Sequence, residues 1–389
     1  MTEQLTPRVL IIAGSDSGGG AGIQADIKTV TMLGGHAMTA ITAITAQNTL
    51  GVQAVLAVPT DMVIAQINSV VTDIGVDAVK IGMIGSATTA HAVADVIESL
   101  DVPIVFDPVM VATSGSVLAD DETIAAFERL GRIASLVTPN LSELAALCGP
   151  DATPIDDVRE AATVYAKRLG TPVLAKGGHG ADDEVTDWLI DGNGDWTRWR
   201  GDRIISDQTH GTGCTLASAI ATYLAWGCAW KSAIVRARQF VRIAIKDAPG
   251  LGGGHGPMGQ QSVRLDLGSG ARLNQVTVPT NDYAASCAFY TALGLKQIVE
   301  TDDAHYARFE AAGGATLSVE VGARPTVYFE CENLDAEVDR LKNAGVTFDQ
   351  LPTDQSWLWR EARLTDPSGN PVCLYQAGEN RRYPPWRLG

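Results

Sequence analysis

The sequence has 389 residues, which is too long for one average domain and predicts two. Hydrophobic residues make up 46% and charged residues 19% of the chain, which is typical of a well-filled globular core and excludes a disordered protein. The net charge of −16 argues against nucleic acid as a partner, because phosphate backbones are bound through clustered Lys and Arg.

The cysteines and the apolar runs predict a cytoplasmic protein without a membrane partner. No Cys-x-x-Cys pair occurs, which argues against a zinc ribbon and indicates reduced thiols. The first eight residues lack a positive region followed by an apolar stretch, so we expect no signal peptide. The most apolar run, residues 216–230, is shorter than a membrane span and contains Gly227, so it predicts a core helix.

Residues 8–260 alternate short apolar runs with longer helical patterns. Strands are predicted at 9–13, 78–81, 104–107, 136–138 and 173–175, and helices at 21–33, 60–74, 87–100 and 156–169. This alternation predicts an α/β domain with a mainly parallel sheet flanked by helices. Ligands of such sheets collect at the carboxyl ends of the strands. Asp107, Asn140 and Lys176 each follow a strand, so we expect them to line one cleft.

A glycine-containing segment, Thr-His-Gly-Thr-Gly-Cys-Thr at 209–215, comes just before the apolar helix. Backbone N–H groups at a helix N-terminus bind anions, because they are unsatisfied and the helix dipole favours negative charge. We therefore expect an anion loop here, with an ordinary glycine-rich turn as the alternative. A thiol at this point, Cys214, is expected to ionise more easily than a free cysteine. The other glycine-rich stretch, 14–22, matches neither a Walker loop nor a dinucleotide-binding motif.

Several further segments accompany this loop in a fixed order, at residues 9–26, 45–49, 80–83, 107–110, 138–143 and 176–179. Together they closely resemble the hydroxymethylpyrimidine and phosphomethylpyrimidine kinases, a branch of the ribokinase superfamily. The Gly-Thr-Gly-Cys form is specific, since most ribokinase relatives carry an aspartate where Cys214 stands. The resemblance implies a ribokinase-like domain at 1–262. It also implies ATP-dependent phosphorylation of 4-amino-5-hydroxymethyl-2-methylpyrimidine and its monophosphate, giving the diphosphate used for thiamine.

The resemblance also implies roles for individual residues. Catalysis falls to Gly211, Gly213 and Cys214. Cys214 either takes the proton of the substrate hydroxyl, as the aspartate of the relatives does, or contributes through its backbone N–H rather than its sulfur. The pyrimidine would contact Asp26, Gln47, Met83 and Val109, and a glutamine suits an aminopyrimidine edge because it donates and accepts at once. ATP would contact Lys176, Asn140, Thr212 and Gly178. Magnesium would be organised by Asp107 and Glu143, since carboxylates and water suit this ion. We also expect a homodimer.

A second domain is predicted at 272–389, after a polar linker at 263–271. Its strands and helices follow the order βαβββ twice, with strands that include 346–350. This α+β pattern of paired modules resembles the vicinal-oxygen-chelate family, which includes glyoxalase I and bleomycin-resistance proteins. The resemblance places Gln275, Glu320, Thr326 and Cys373 at the metal-ligand positions of that family, which predicts a domain without a catalytic metal. Trp357 and Trp359 alternate along one face, where they would stack on a flat ligand or belong to an interface or the core.

Two other functions remain open from the sequence. A pyridoxal or pyridoxine kinase shares the anion loop with its cysteine, although Gln47 and Asp26 favour the aminopyrimidine. The other is an antibiotic- or antivitamin-binding protein, in which the C-terminal domain would bind the ligand and determine the function.

Overall fold

The computed structural model describes residues 6–111, 118–149, 157–179, 183–263, 271–301, 303, 305–311 and 314–388. Contacts between Cα atoms divide the chain into two compact units, Met1–Leu265 and Asp266–Gly389. The predicted linker lies largely outside the described residues. At its first position the side chain of Val263 is buried in the first unit.

Among the described residues, the first unit contains a nine-stranded sheet. Its strands are β1 Arg8–Asp16, β2 His36–Asn48, β3 Gly51–Ala57, β4 Ala78–Ile81, β5 Ile104–Phe106, β6 Leu136–Val137, β7 Val173–Ala175, β8 Glu184–Ile190 and β9 Trp196–Asp202. The spatial order is β3-β2-β1-β4-β5-β6-β7-β8-β9. The six central strands run parallel, in the order β2, β1, β4, β5, β6 and β7. Strands β3, β8 and β9 pair antiparallel at the two margins. The predicted mainly parallel sheet is confirmed.

Helices cover this sheet and supply its core contacts. They are α1 Gly22–Met32, α2 Thr60–Asp73, α3 Ala87–Ile97, α4 Asp121–Ile133, α5 Leu141–Cys148, α6 Val158–Leu169, α7 Thr212–Ala225 and α8 Trp230–Lys246. Residues 215–224 of α7 are all buried, which explains why this helix is apolar without a polar stripe. The run 216–230 is not one helix, because Gly227 at φ 79° turns the chain between α7 and α8. No helix in the described part of the chain is long and apolar enough to cross a membrane.

In the second unit, the described residues form an eight-stranded sheet with two helices. The elements are β10 Arg272–Thr280, α9 Tyr283–Ala292, β11 Lys296–Glu300, β12 Tyr306–Glu310, β13 Thr316–Val321, β14 Thr326–Glu330, α10 Leu334–Asn343, β15 Gln350–Asp354, β16 Arg360–Thr365 and β17 Pro371–Gln376. The strand order is β11-β12-β13-β10-β14-β17-β16-β15. The two βαβββ modules therefore meet through the antiparallel pair of β10 and β14, as the predicted paired modules require.

Two local predictions for this unit are wrong. The strand predicted at 346–350 begins only at its last residue, because Gly345 at φ 87° and the bond from Val346 N–H to the Leu341 carbonyl first close the end of α10. The two tryptophans do not share a face, since Leu358 between them has φ 65°. Trp359 is buried and stacks on Tyr375 at 4.5 Å, whereas the Trp357 ring is exposed.

Candidate active site

A cleft of about 920 Å³ opens where the parallel strands of the first unit end. Residues that follow β1, β4, β5, β6 and β7 line it, together with the segment before α7. All the predicted site residues except Asp26 contribute to its walls. The structure therefore brings together side chains and loops that lie far apart in the sequence.

The anion loop is held by a backbone conformation that only glycine adopts readily. Gly211 has φ 85° and is the N-cap of α7, and the hydroxyl of Thr212 donates to the carbonyl of Thr209 at 2.6 Å. A Cβ atom at Gly211 would lie 2.0 Å from the carbonyl oxygen of Gly20. The loop before α7 thus packs directly on the glycine-rich turn after β1.

A lysine–carboxylate pair faces this loop. Nζ of Lys176 lies 2.6 Å from Oδ1 of Asp107, which also accepts a bond from the hydroxyl of Thr138 at 3.1 Å. A Cβ atom at Gly213 would stand 3.1 Å from Nζ of Lys176 and 3.4 Å from Oδ2 of Asp107. The first turn of α7, a cation and a carboxylate therefore meet at one point, which suits the binding of a phosphoryl group.

Asn140 and Glu143 form a capping box at the start of α5. Oδ1 of Asn140 accepts from the N–H of Glu143 at 2.9 Å, and the Glu143 carboxylate accepts from the N–H of Asn140 at 2.8 Å. Burial raises the pKa of Glu143 to about 7, with Asp107 adding to the rise and Lys176 opposing it. These side chains thus both stabilise a helix end and face the cleft.

The pair Asp107 and Glu143 fits a magnesium ion by its donor chemistry. Both carboxylates are buried, and like charges placed this close favour a cation between them. Across the described residues, His, Cys, Asp and Glu side chains form no group of three or more that is arranged to hold a metal. Two carboxylates are nevertheless the usual protein share for Mg²⁺, which keeps waters and takes phosphate oxygens.

The predicted easy ionisation of Cys214 is wrong. Its thiol is half-buried at the start of α7, and desolvation raises its pKa to about 11. The ammonium group of Lys80 lowers the pKa, but less than burial raises it. The neutral thiol is therefore the dominant form at neutral pH.

Asp26 lies beneath the cleft rather than in it, contrary to the predicted contact with the substrate. Its carboxylate is fully buried and both oxygens are occupied, Oδ2 by Nζ of Lys80 at 2.8 Å and Oδ1 by the hydroxyl of Ser218 at 2.7 Å. Burial opposes the charge on Lys80, but the acidic groups around it, Asp26 first among them, together outweigh burial and hold the pKa of Lys80 above its usual value. The aspartate serves to hold this lysine, which does reach the cleft wall.

The other residues predicted to contact the substrate line the cleft. Met83 and Val109 are half-buried on the cleft wall. The Met83 sulfur would stand 3.0 Å from a Cβ atom at Gly14, so the first glycine of the turn makes room for it. Gln47 lies at the end of β2, with Oε1 3.1 Å from the hydroxyl of Thr45.

Two residues that the sequence analysis did not select, Asp16 and His210, join the two glycine-rich loops. Oδ2 of Asp16 accepts the N–H groups of Gly20 and Ala21 at 3.0 and 2.8 Å and lies 3.0 Å from Nε2 of His210. The same His210 nitrogen lies 3.1 Å from Nε2 of Gln47. Asp16 could have been found by the rule that selected Asp107, since it also ends a strand that leads into the cleft.

The metal-ligand positions of the second unit hold neutral side chains or groups whose pKa is raised. Gln275 is buried and its Oε1 accepts from the hydroxyl of Thr316 at 2.9 Å. Burial raises the pKa of Cys373 far above its usual value, and burial also raises the pKa of Glu320. A thiol that stays protonated is a poor metal ligand.

The sheet, the cleft and the anion loop are those of a ribokinase-like small-molecule kinase. Sequence comparison narrows this class. The profile of the family described as Phosphomethylpyrimidine kinase matches residues 16–259, and this chain belongs to that family. Residues 272–374 match the Glyoxalase/Bleomycin resistance protein/Dioxygenase superfamily.

Two relatives illustrate the match. The hydroxymethylpyrimidine/phosphomethylpyrimidine kinase of Streptomyces coelicolor is 46% identical over 254 residues, which is 65% of this chain and 93% of that protein. The thiamine biosynthesis bifunctional protein ThiED of Geobacter sulfurreducens is 48% identical over 252 residues, which is 64% of this chain. The chain spans only about half, 51%, of the length of that second relative.

Solved structures show the same fold. A pyridoxal kinase from Staphylococcus aureus in complex with ADP is similar with a TM-score of 0.61 and 34% identity, over 66% of this chain and 95% of that one. A phosphomethylpyrimidine kinase from Clostridium difficile is similar with a TM-score of 0.54 and 36% identity, over 62% of this chain and 100% of that one.

Proposed function

We propose that this protein uses ATP to phosphorylate 4-amino-5-hydroxymethyl-2-methylpyrimidine and then its monophosphate, giving the diphosphate used in thiamine biosynthesis. The observation that carries the proposal is one cleft in which Gln47, a partner for an aminopyrimidine, shares a wall with an anion loop of the form Gly-Thr-Gly-Cys. The names of the relatives at 46% and 48% identity support it.

Phosphoryl transfer depends mainly on positioning and charge neutralisation. Gly211 and Gly213 leave the N–H groups at the start of α7 open to the transferring phosphoryl group. Lys176 supplies a cation opposite that loop, and Asn140, Thr212 and Gly178 line the neighbouring wall for the nucleotide phosphates. Asp107 keeps Lys176 in place through the 2.6 Å pair.

Asp107 and Glu143 would hold magnesium, which supplies charge neutralisation at the phosphates when it is bound. At this site the two residues also set the local charge of the cleft. Because burial raises the pKa of Glu143 to about 7, this carboxyl is only partly ionised at neutral pH and gains its full negative charge as the pH rises further.

Cys214 would accept the proton of the substrate hydroxyl through its minor ionised form. Desolvation disfavours the thiolate, whereas the positive charge of Lys80 favours it. A base with a pKa of about 11 is seldom ionised at neutral pH but is a strong acceptor when it is.

The rival function is a pyridoxal kinase, which the similarity to the Staphylococcus aureus enzyme favours. Side-by-side kcat/KM values for the aminopyrimidine alcohol and pyridoxal decide between them. We expect the aminopyrimidine to be the better substrate by a wide margin. A preference for pyridoxal would move the assignment to the rival.

The proposal includes the organisation of the chain. Residues 1–262 would carry the kinase, residues 272–389 would form the glyoxalase-like domain, and two chains would assemble into a cytoplasmic homodimer. A fragment that ends at residue 265 keeps the buried Val263 and should retain ATP-dependent turnover.

Light scattering of the full chain at micromolar concentration tests the proposed homodimer, and a monomer would refute it.

A further inference from the structure

The contacts around His210 contain a conflict between hydrogen-bond donors. Nε2 of His210 lies 3.0 Å from Oδ2 of Asp16 and 3.1 Å from Nε2 of Gln47. One ring nitrogen carries at most one hydrogen, so it donates to the carboxylate or accepts from the amide, but does not do both. The neighbouring groups decide which arrangement holds.

Asp16 is present as a carboxylate. Burial alone would raise its pKa, but hydrogen bonds from His210 and from the N–H groups of Ala21 and Gly18 outweigh burial and hold the pKa below its usual value. A carboxylate accepts only, so Nε2 of His210 must carry the hydrogen and donate it to Asp16. The amide nitrogen of Gln47 would then face an N–H group.

A half-turn of the Gln47 amide removes this conflict. Amide oxygen and nitrogen exchange places by that rotation, and their hydrogen-bond partners determine which orientation is stable. After the half-turn, the one hydrogen on Nε2 of His210 is shared between two acceptors, Oδ2 of Asp16 and Oε1 of Gln47. The amide nitrogen of Gln47 then donates to the hydroxyl of Thr45. That hydroxyl already has an acceptor for its own hydrogen, the carbonyl of Ser15 at 3.0 Å. Each contact in this chain then joins a donor to an acceptor.

We propose that Asp16 and His210 act as positioning residues that fix the polarity of the Gln47 amide, with its oxygen toward the anion loop, and thereby select the orientation of the substrate. This inference rests on the proposed function. In the aminopyrimidine the amino group lies next to the carbon that bears the hydroxymethyl group, and the ring nitrogen lies on the far side. Because His210 belongs to the anion loop, an amide oxygen on that side pairs with the amino group and directs the hydroxymethyl group to the loop.

The packing around His210 leaves little freedom for the ring. A Cβ atom at Gly20 would lie 2.4 Å from Cδ2 of the ring, and the ring is almost completely buried. The backbone N–H of His210 donates to the carbonyl of Gly256 at 3.1 Å. The imidazole therefore acts as a fixed donor rather than a mobile one.

The 4-oxo analogue of the substrate is the probe, because its edge has the opposite polarity, with an acceptor at the 4-position and an N–H in the ring. Calorimetry on the full chain measures the affinities for the amino and the oxo compound, which does not depend on turnover. We expect the wild-type protein to bind the amino compound at least about 10²-fold more tightly, since both hydrogen bonds are mismatched in the analogue.

The variant His210→Leu removes the donor and lets the amide turn, so the amino-to-oxo ratio should fall to within about tenfold of unity. His210→Gln places an amide donor near the Nε2 position and should keep the wild-type ratio. Binding of an ATP analogue and the melting temperature report whether each variant is folded. Nitrogen-15 spectra of histidine-labelled wild-type protein should show Nε2 of His210 protonated.

An unchanged ratio in a folded His210→Leu variant would overturn the proposal, because a merely structural role weakens both compounds equally. A wild-type protein that binds both compounds alike, or neither, or whose His210 has a bare Nε2, would also overturn it. Discrimination in binding without any phosphorylation would instead leave this inference intact and refute the proposed function.

Discussion

Lys80 and Asp26 form an ion pair of 2.8 Å beneath the active-site cleft, and neither side chain is exposed to solvent. The charge of Lys80 also acts on Cys214, where it partly offsets the rise in pKa that burial causes. The pair thus links the stability of the first unit to the electrostatics of its cleft.

Removing one member of this pair should be costly. Asp26→Asn leaves an uncompensated buried ammonium group and should lower the free energy of unfolding by about 3–5 kcal/mol. The double variant Asp26→Asn with Lys80→Met removes both charges and should recover most of that loss. Urea unfolding of the three proteins measures the effect. A single variant as stable as the wild type would show that the pair carries no such role.

The Cys214 thiol should react slowly. With a pKa of about 11 it is mostly protonated at pH 8, and alkylation requires the thiolate, so the rate with iodoacetamide should be about 10²-fold below that of a free cysteine. Peptide mapping by mass spectrometry follows this residue separately from the other cysteines. Rapid alkylation at pH 8 would contradict the pKa.

Catalysis should depend on the same group. Cys214→Ala should lower kcat by about 10²–10⁴, because a general base is lost, with little change in nucleotide affinity. Because the pKa lies above the assay range, kcat of the wild type should rise with pH between 7 and 9, and the variant should lose this rise. Activity within a few-fold of the wild type would assign the position to its backbone N–H.

The two glycines of the anion loop should respond differently to alanine. Gly211→Ala places a Cβ atom at φ 85° and 2.0 Å from the Gly20 carbonyl, so it should lower the free energy of unfolding by more than about 2 kcal/mol. Gly213 has helical backbone angles, and a Cβ atom there would crowd only Lys176. The Gly213→Ala variant should therefore fold normally, while its kcat/KM falls about 10–10²-fold. Thermal unfolding and kinetics of both variants test this contrast, which equal losses of stability would refute.

The second unit should contain no catalytic metal. Of the four positions, Glu320 alone offers a strong anionic ligand, because Gln275 and Thr326 are neutral and burial keeps the Cys373 thiol protonated. Catalytic sites commonly use three protein ligands. Elemental analysis of the full chain, purified without a histidine tag and without a chelator, measures the zinc, iron, nickel and manganese content, and magnesium is left out of the count. Stoichiometric zinc, iron, nickel or manganese that is lost on Glu320→Ala would refute the prediction.

Local patterns in the sequence predicted the framework of the first unit. Strands β4 and β7 lie at the predicted residues, since short apolar runs bounded by turn residues define them. The marginal strands β3 and β9 were not predicted. The side chains of both are exposed or half-buried, so neither has the buried apolar run of a central strand. The same reasoning placed Asp107, Asn140 and Lys176 in one cleft, because each follows a parallel strand.

What the sequence could not predict depends on burial and on distant contacts. The ion pair of Asp26 and Lys80 joins residues 54 positions apart, and Asp16 and His210 are 194 positions apart. The rule that a helix N-terminus lowers a thiol pKa is local, whereas the desolvation that overrides it at Cys214 comes from the whole fold. The order of the motifs therefore predicted the cleft. Only the structure distinguished the residues that line it from residues such as Asp26 that are buried behind the lining.

The most direct test of the central claim is an assay of the full chain with ATP and magnesium, in which the aminopyrimidine alcohol and its monophosphate are supplied as separate substrates. Phosphorus-31 spectra follow the products. The account predicts that the alcohol gives the monophosphate and that the monophosphate gives the diphosphate, each with one ADP formed per phosphate transferred. A folded protein that forms ADP with neither compound, or that phosphorylates pyridoxal in preference to both, would contradict it.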